Sequence, residues 1–167
     1  MATEYSDEAI HTLHKFYAAL QPDINRLEQL HAKNMVCKKG CFACCEDHLE
    51  VFGVEAENIR RNESDVLKNE KPHPAGMCAF LSSEGACRIY ENRPFVCRTQ
   101  GLPLLLTNEQ GEKLKDVCPL NFTDDTIDSI PEKDFLLSPA YEDFLARLQM
   151  AIDKGAMERV ALRDLFQ

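Results

Sequence analysis

Eight cysteines dominate the chemistry open to this chain, and they are unevenly placed. Four fall within nine residues, Cys37-Lys-Lys-Gly-Cys41-Phe-Ala-Cys44-Cys45, and four follow singly at Cys78, Cys87, Cys97 and Cys118. All eight lie within 82 residues of a 167-residue sequence. Thiolates are soft donors suited to zinc and iron, so a turn-rich stretch crowded with them predicts metal sites rather than inert buried sulfur. On a helix, Cys37, Cys41 and Cys44 would share one face at i, i+4 and i+7, while Cys45 would point about 100° away. Gly40 favours a wrapping loop instead, and neighbouring side chains still diverge. The Cys44-Cys45 doublet therefore points to two metal positions or to a multinuclear cluster. Eight sulfurs match two closed four-thiolate zinc sites, one iron–sulfur cluster plus a zinc, or two clusters.

Composition bounds the setting. The first twenty residues carry acids where a secretion signal needs bases, and no apolar run reaches ~7 residues, so the expected compartment is the reducing cytoplasm. There, clustered thiols hold metal or do redox work more often than they form disulfides. The formal charge of -9, from 19 basic and 28 acidic residues, repels phosphate backbones and anionic lipid. Nucleic acid and membranes are not expected partners; metal ions and a protein surface are.

The thiols need positioning elements. Ser6 can cap a helix whose first turn carries Asp7 and Glu8, and Ile10, Leu13, Tyr17, Leu20, Ile24 and Leu27 continue one apolar face toward Leu30. Pro22 makes this either one kinked helix or two. His11, His14 and His31 read as packing or surface imidazoles. At the other end, Ser138-Pro139 opens a helix with Tyr141, Phe144, Leu145, Leu148 and Ile152 on one face, stopping near Gly155. A short last helix is expected from about Met157 to Leu165.

Between them, one helix is expected from about Val54 to Leu67, with two hairpins: Cys78–Leu81 with Ala86–Ile89, and Leu102–Thr107 with Lys113–Val117. The fold class expected is α+β, predominantly helical, with terminal helices packed on an irregular metal-pinned central segment. As organisation this gives a single domain, 1–167: an N-terminal helical segment (1–36), a cysteine-cluster core (37–118) and C-terminal helices (119–167). Structural zinc contributes ~10–16 kcal/mol of coupled folding energy in small peptides. A whole domain has ~5–15 kcal/mol of stability, so one site could decide whether the centre folds. Eight thiolates around two zinc ions leave a charge of about -4, which calls for nearby cations and donors. Lys38, Lys39, Arg88, Arg93 and Arg98 are the candidates, with Arg88, Arg93 and Arg98 favoured as supports of the site. His48 and His73 are spare nitrogen ligands, outcompeted by eight sulfurs.

These residues carry a resemblance. Cys37-x3-Cys41-x2-Cys44-Cys45, the helix start Val54-Glu-Ala-Glu-Asn-Ile59, Cys78-Ala-Phe-Leu, and Cys87-Arg-Ile-Tyr-Glu-Asn-Arg-Pro-Phe-Val-Cys97-Arg98 resemble the YkgJ-type cysteine-cluster family, a zinc- or iron-chelating domain of bacteria. The resemblance spans about Cys37 to Cys118. It implies that Cys37, Cys41, Cys44, Cys45, Cys78, Cys87, Cys97 and Cys118 are the metal-ligand set, with Tyr90, Arg93, Pro94 and Arg98 as scaffold. Flagellin lysine N-methylases contain a similar cysteine domain, which implies a cluster able to assist methyl transfer.

The functional expectation is a metal-binding protein whose zinc or iron–sulfur group is mainly structural or partner-facing. The alternative is a redox or methyl-transfer enzyme using an iron–sulfur cluster. Cys37-x3-Cys41-x2-Cys44 has the spacing of radical-SAM enzymes, but no alternation of strands and helices announces their barrel. No Ser-His-Asp order, Gly-rich phosphate loop or carboxylate pair stands out, so no catalytic residue is assigned.

Overall fold

The long N-terminal stripe folds as its periodicity predicts. In the computed structural model, which describes residues 3–38, 40–123 and 127–167, helix α1 (Asp7–Leu30) is continuous, with Pro22 inside it. The Ser6 hydroxyl accepts from the Ala9 N–H at 3.2 Å, and Asp7 and Glu8 occupy the first turn, where the helix dipole favours acids. Ile10, Leu13, Phe16, Tyr17, Leu20, Ile24 and Leu27 are buried, whereas Leu30, expected to end the face, is exposed.

Helix α5 (Ser138–Asp153) covers that face. Leu137 rather than Ser138 is its cap; Ser138 is the first helical residue and its hydroxyl donates to Glu142. The helix ends at Lys154 in left-handed conformation, followed by Gly155, close to the predicted stop. Leu13, Leu20, Leu27, Phe95, Leu102, Leu136 and Leu145 fill the core between these helices and the centre, and Phe144 stacks on Phe16 at 5.2 Å while remaining part-exposed.

The expected Val54–Leu67 helix is broken in two, α2 (Gly53–Asn62) and α3 (Ser64–Asn69), with Glu63 between them. Asn62 bonds back to Asn58, and Asn58 also receives His14, tying α2 to α1. Gly53 begins α2 against the Tyr5 ring: a Cβ there would lie 1.8 Å from the Tyr5 hydroxyl. The predicted last helix is instead a strand, β5 (Arg159–Ala161), leading into a 3₁₀ turn (Leu162–Phe166). β5 pairs antiparallel with β1 (Glu50–Phe52), setting Val51 opposite Val160. A helix was the wrong reading because its partner lies more than a hundred residues away and leaves no local trace.

The second predicted hairpin is present as β2 (Leu104–Thr107) and β3 (Lys113–Asp116). Asn108 accepts from the Gln110 and Glu112 amides at its tip, and Gly111 takes the positive φ. A third strand, β4 (Leu136–Leu137), joins β2 in parallel. The first predicted hairpin shrinks to one bridge, Leu81 to Cys87, around a turn closed by Ser82 N–H to Ala86 O. A one-turn helix, α4 (Phe95–Arg98), carries Cys97. The fold is thus α+β and predominantly helical. Among the described residues no helix is long and apolar enough to cross a membrane.

The centre also has an apolar core of its own. Val51, Ala56, Ile59, Phe80, Ile89, Leu162 and Leu165 are buried together with Cys78. The 159–166 tail supplies part of this second cluster through Leu162 and Leu165.

Candidate metal centre

All eight cysteines carry free thiols, and their environments differ. Cys78 is buried, Cys37 is exposed, and the other six are half-buried. Burial is the first cause raising the thiol pKa at Cys37, Cys78, Cys87 and Cys97. The doublet behaves as a pair: the Cys45 thiol donates to Cys44, which lowers Cys44 and raises Cys45.

Mutual electrostatics sort the sulfurs into neighbourhoods. Cys37 feels Cys118, Cys41 and Cys44. Cys45 feels Cys78 and Cys87 besides Cys44, and Cys97 feels Cys78 and Cys87. The backbone agrees. The Cys78 N–H donates to Cys45 O at 2.9 Å, and Cys45, Cys78 and Cys87 pack into the second apolar cluster beside Val96, the neighbour of Cys97. On the other side, Asn121 Nδ2 reaches Cys37 Sγ at 3.4 Å and Gly101 O at 2.7 Å, while the Asn121 N–H donates to Cys118 O. The Val36 N–H donates to Asn121 Oδ1, so one buried amide gathers both ends of the cysteine segment. Gly101, at φ +90°, lets Cys37 approach: a Cβ there would stand 2.6 Å from its sulfur.

Arginines hold the loops between cysteines. Arg88 donates to Ala79 O, Lys71 O and the Glu70 carboxylate, and its guanidinium lies over the Phe166 ring. Arg98 donates to Arg93 O and Glu91 O at 2.6 Å each and stacks over Tyr17, fastening α4 to α1. Arg93 sits 3.8 Å over the Tyr90 ring and donates to Tyr90 O and, at 3.4 Å, to Cys97 O. Its charge favours the thiolate at Cys44, Cys87 and Cys97. Of the arginines favoured from sequence, Arg93 therefore faces the most sulfurs. Lys38 is exposed, and Lys39 lies outside the described residues.

Sequence reading missed Arg163, whose guanidinium pairs with Asp47 and donates to His73 O at 2.7 Å and Met77 O at 2.8 Å. Asp47 in turn accepts from Gly76 N–H. It also missed Asn121, and Glu55, a buried carboxylate that accepts from Tyr17 O–H at 2.9 Å and Phe95 N–H at 2.7 Å. Burial raises the Glu55 pKa above the ordinary carboxylate range. No local signal marks Arg163 or Asn121; Glu55 is three residues past the cap residue Phe52, where a glutamate turns back to bond the cap N–H, as it does here. His48 is exposed, and His73 Nδ1 lies 3.2 Å from Pro74 O. His31 is buried against Asp134 O, and His11 is exposed.

The chemistry of the donor set fits zinc or iron: eight soft sulfurs are available, whereas hard cations such as magnesium want oxygen. Among the described residues, no three His, Cys, Asp or Glu side chains already stand as one ion's ligand shell, so ligation would draw the sulfurs inward. The CxxCxxCC family model, described as "Putative zinc- or iron-chelating domain", matches residues 36–119, half of the chain. The protein is a cysteine-cluster metal-binding protein in class, and the chain belongs to that CxxCxxCC family. Its own motif keeps Cys41-x2-Cys44-Cys45 but has three residues, not two, after Cys37. No curated protein and no solved structure matches the chain.

Proposed function

We propose that this protein binds zinc or iron through the thiolates of Cys37, Cys41, Cys44, Cys45, Cys78, Cys87, Cys97 and Cys118, in the reducing cytoplasm of a bacterium, and that the metal's main work is structural or partner-facing. The observation carrying this reading is that every cysteine neighbours others within one arginine-braced segment, with family membership over the same residues. Exposed apolar side chains adjoin the cysteines in sequence, Val36 beside Cys37, Phe42 beside Cys41, and Leu120 two residues after Cys118, which suits a surface meant for another protein. Anaerobic purification followed by metal and acid-labile sulfide analysis tests it. About two zinc ions per chain without sulfide is the expected result for eight thiolates; a chain that takes up neither metal rejects it.

One observation favours a second reading, a redox or methyl-transfer enzyme built on an iron–sulfur cluster. A cleft of about 610 Å³ is lined by Val96 and Thr99, which flank the Cys97 turn, together with Glu55, Phe95, Leu145 and Arg159. A small molecule held there would lie next to the thiol-bearing helix α4. A brown preparation containing sulfide would move the reading to this enzyme class.

A further inference from the structure

We propose that Asn121 is a positioning residue for the metal-binding thiolate of Cys37: it presents a side-chain N–H to that sulfur from a fixed direction and thereby strengthens the hold of this cysteine on a soft metal ion. This rests on the metal-binding reading above and deepens it by giving the site a residue that acts through one of its ligands. Asn121 lies beyond residues 36–119, outside the stretch that the family model matches.

The amide has a single orientation open to it. Asn121 is 3% exposed, so its donors and acceptor must be satisfied inside the protein. Its Oδ1 accepts from the Val36 N–H at 2.9 Å, and its Nδ2 donates to Gly101 O at 2.7 Å. Turning the group over would set oxygen against the Gly101 carbonyl and nitrogen against the Val36 N–H, losing both bonds. These main-chain contacts leave the other Nδ2 hydrogen for Cys37 Sγ, which lies 3.4 Å from that nitrogen. The sulfur is also 3.7 Å from Oδ1, a contact that needs the thiol proton. A metal-bound sulfur has given up that proton, so only the N–H···S bond can accompany ligation.

The mount of the amide is itself held. The Asn121 N–H donates to Cys118 O at 2.9 Å, and the neighbouring Phe122 is buried edge-on to His31, the cap of α1, with ring centroids 5.1 Å apart. Gly101 also borders the sulfur: it takes φ +90°, and a Cβ in its place would stand 2.6 Å from Sγ. Cys37 is an exposed residue in a stretch without helix or strand, yet its sulfur rests against the Gly101 backbone and a buried amide. An asparagine that only tied loops together would need Val36 and Gly101 alone; the third contact is aimed at sulfur. Groups that hydrogen-bond to metal ligands orient them, and losing one typically costs about ten- to a hundredfold in metal affinity.

The test uses the full reduced chain, with zinc affinity read by competition against a chromophoric chelator. Asn121→Ala should weaken zinc binding at the Cys37 site by about ten- to a hundredfold, and in a Cys37→Ala background the same change should cost nothing more. An equal loss in both backgrounds would make Asn121 a structural residue and overturn the proposal, as would an unchanged affinity in the single variant. A second measurement needs no substitution. In the parent chain loaded with a magnetically active cadmium isotope, the Asn121 Nδ2 proton should show a scalar coupling to the metal through the N–H···S bond; a cadmium-loaded chain in which that proton is uncoupled overturns the proposal while leaving metal binding intact. A parent chain that takes up neither zinc nor cadmium sinks the metal-binding reading itself, and the proposal with it.

Discussion

The α1–α5 core and the cysteine-bearing centre reach order by different means. Between the helices, Leu13, Leu20, Leu27 and Leu145 are fully or almost fully buried, and hydrocarbon packing is enough to hold the pair. In the centre the chain turns often, and long stretches are held by guanidinium groups bonded to carbonyls, with a smaller apolar cluster beneath. An arginine can satisfy several loop carbonyls at once, which suits a backbone that must bend around sulfur rather than pair with itself. Repeated apolar spacing builds the first region, and single long-range contacts build the second.

Substitutions should separate the two. The largest effect is expected from Leu20→Ala, a cavity in the helical core costing about 2–5 kcal/mol in denaturant unfolding; equal loss in metal-free and metal-treated protein would mark this core as independent of the thiols. Gly101→Ala comes next, at about 1–3 kcal/mol for a side chain forced into positive φ, with Cys37 displaced and its alkylation rate changed; an unaltered Cys37 would show that Gly101 does not set the position of that thiol. Arg163→Gln should act locally, speeding amide exchange over residues 73–79 while α1 and α5 keep their protection; uniform exchange throughout would mean the regions unfold as one. The smallest effect is a pH dependence at Glu55. Its folded pKa is raised by burial, so its contribution is fully present below the unfolded value and is lost as pH rises through the folded one. Glu55→Gln should therefore gain stability relative to the parent as pH rises across that interval, and a constant difference would show that Glu55 does not titrate there.

The same contrast explains what could be read from sequence. Helix α1 was legible because its apolar spacing repeats over 24 residues, and the β2–β3 hairpin because Asn108 and Gly111 mark its turn. The final strand was not, since Val160 finds its partner at Val51 and nothing near Val160 says so. The eight cysteines and their likeness to one family announced the chemistry, and the doublet hinted at more than one ion. The way the loops around the sulfurs are held escaped because it depends on Asn121 and Arg163, single residues whose meaning exists only in three dimensions.

Asn121 has one more implication. It receives the Val36 amide while the next residue, Phe122, donates to Asn34 O, so the 36–119 stretch leaves the helical frame and rejoins it at the same spot. A stretch that departs and returns through one doorway is still no detachable module: Phe95 and Leu102 plug the helical core, Asn58 is bonded to His14, and the distant ribbon Arg159–Phe166 lends it Leu162, Leu165 and the Arg163 clamp.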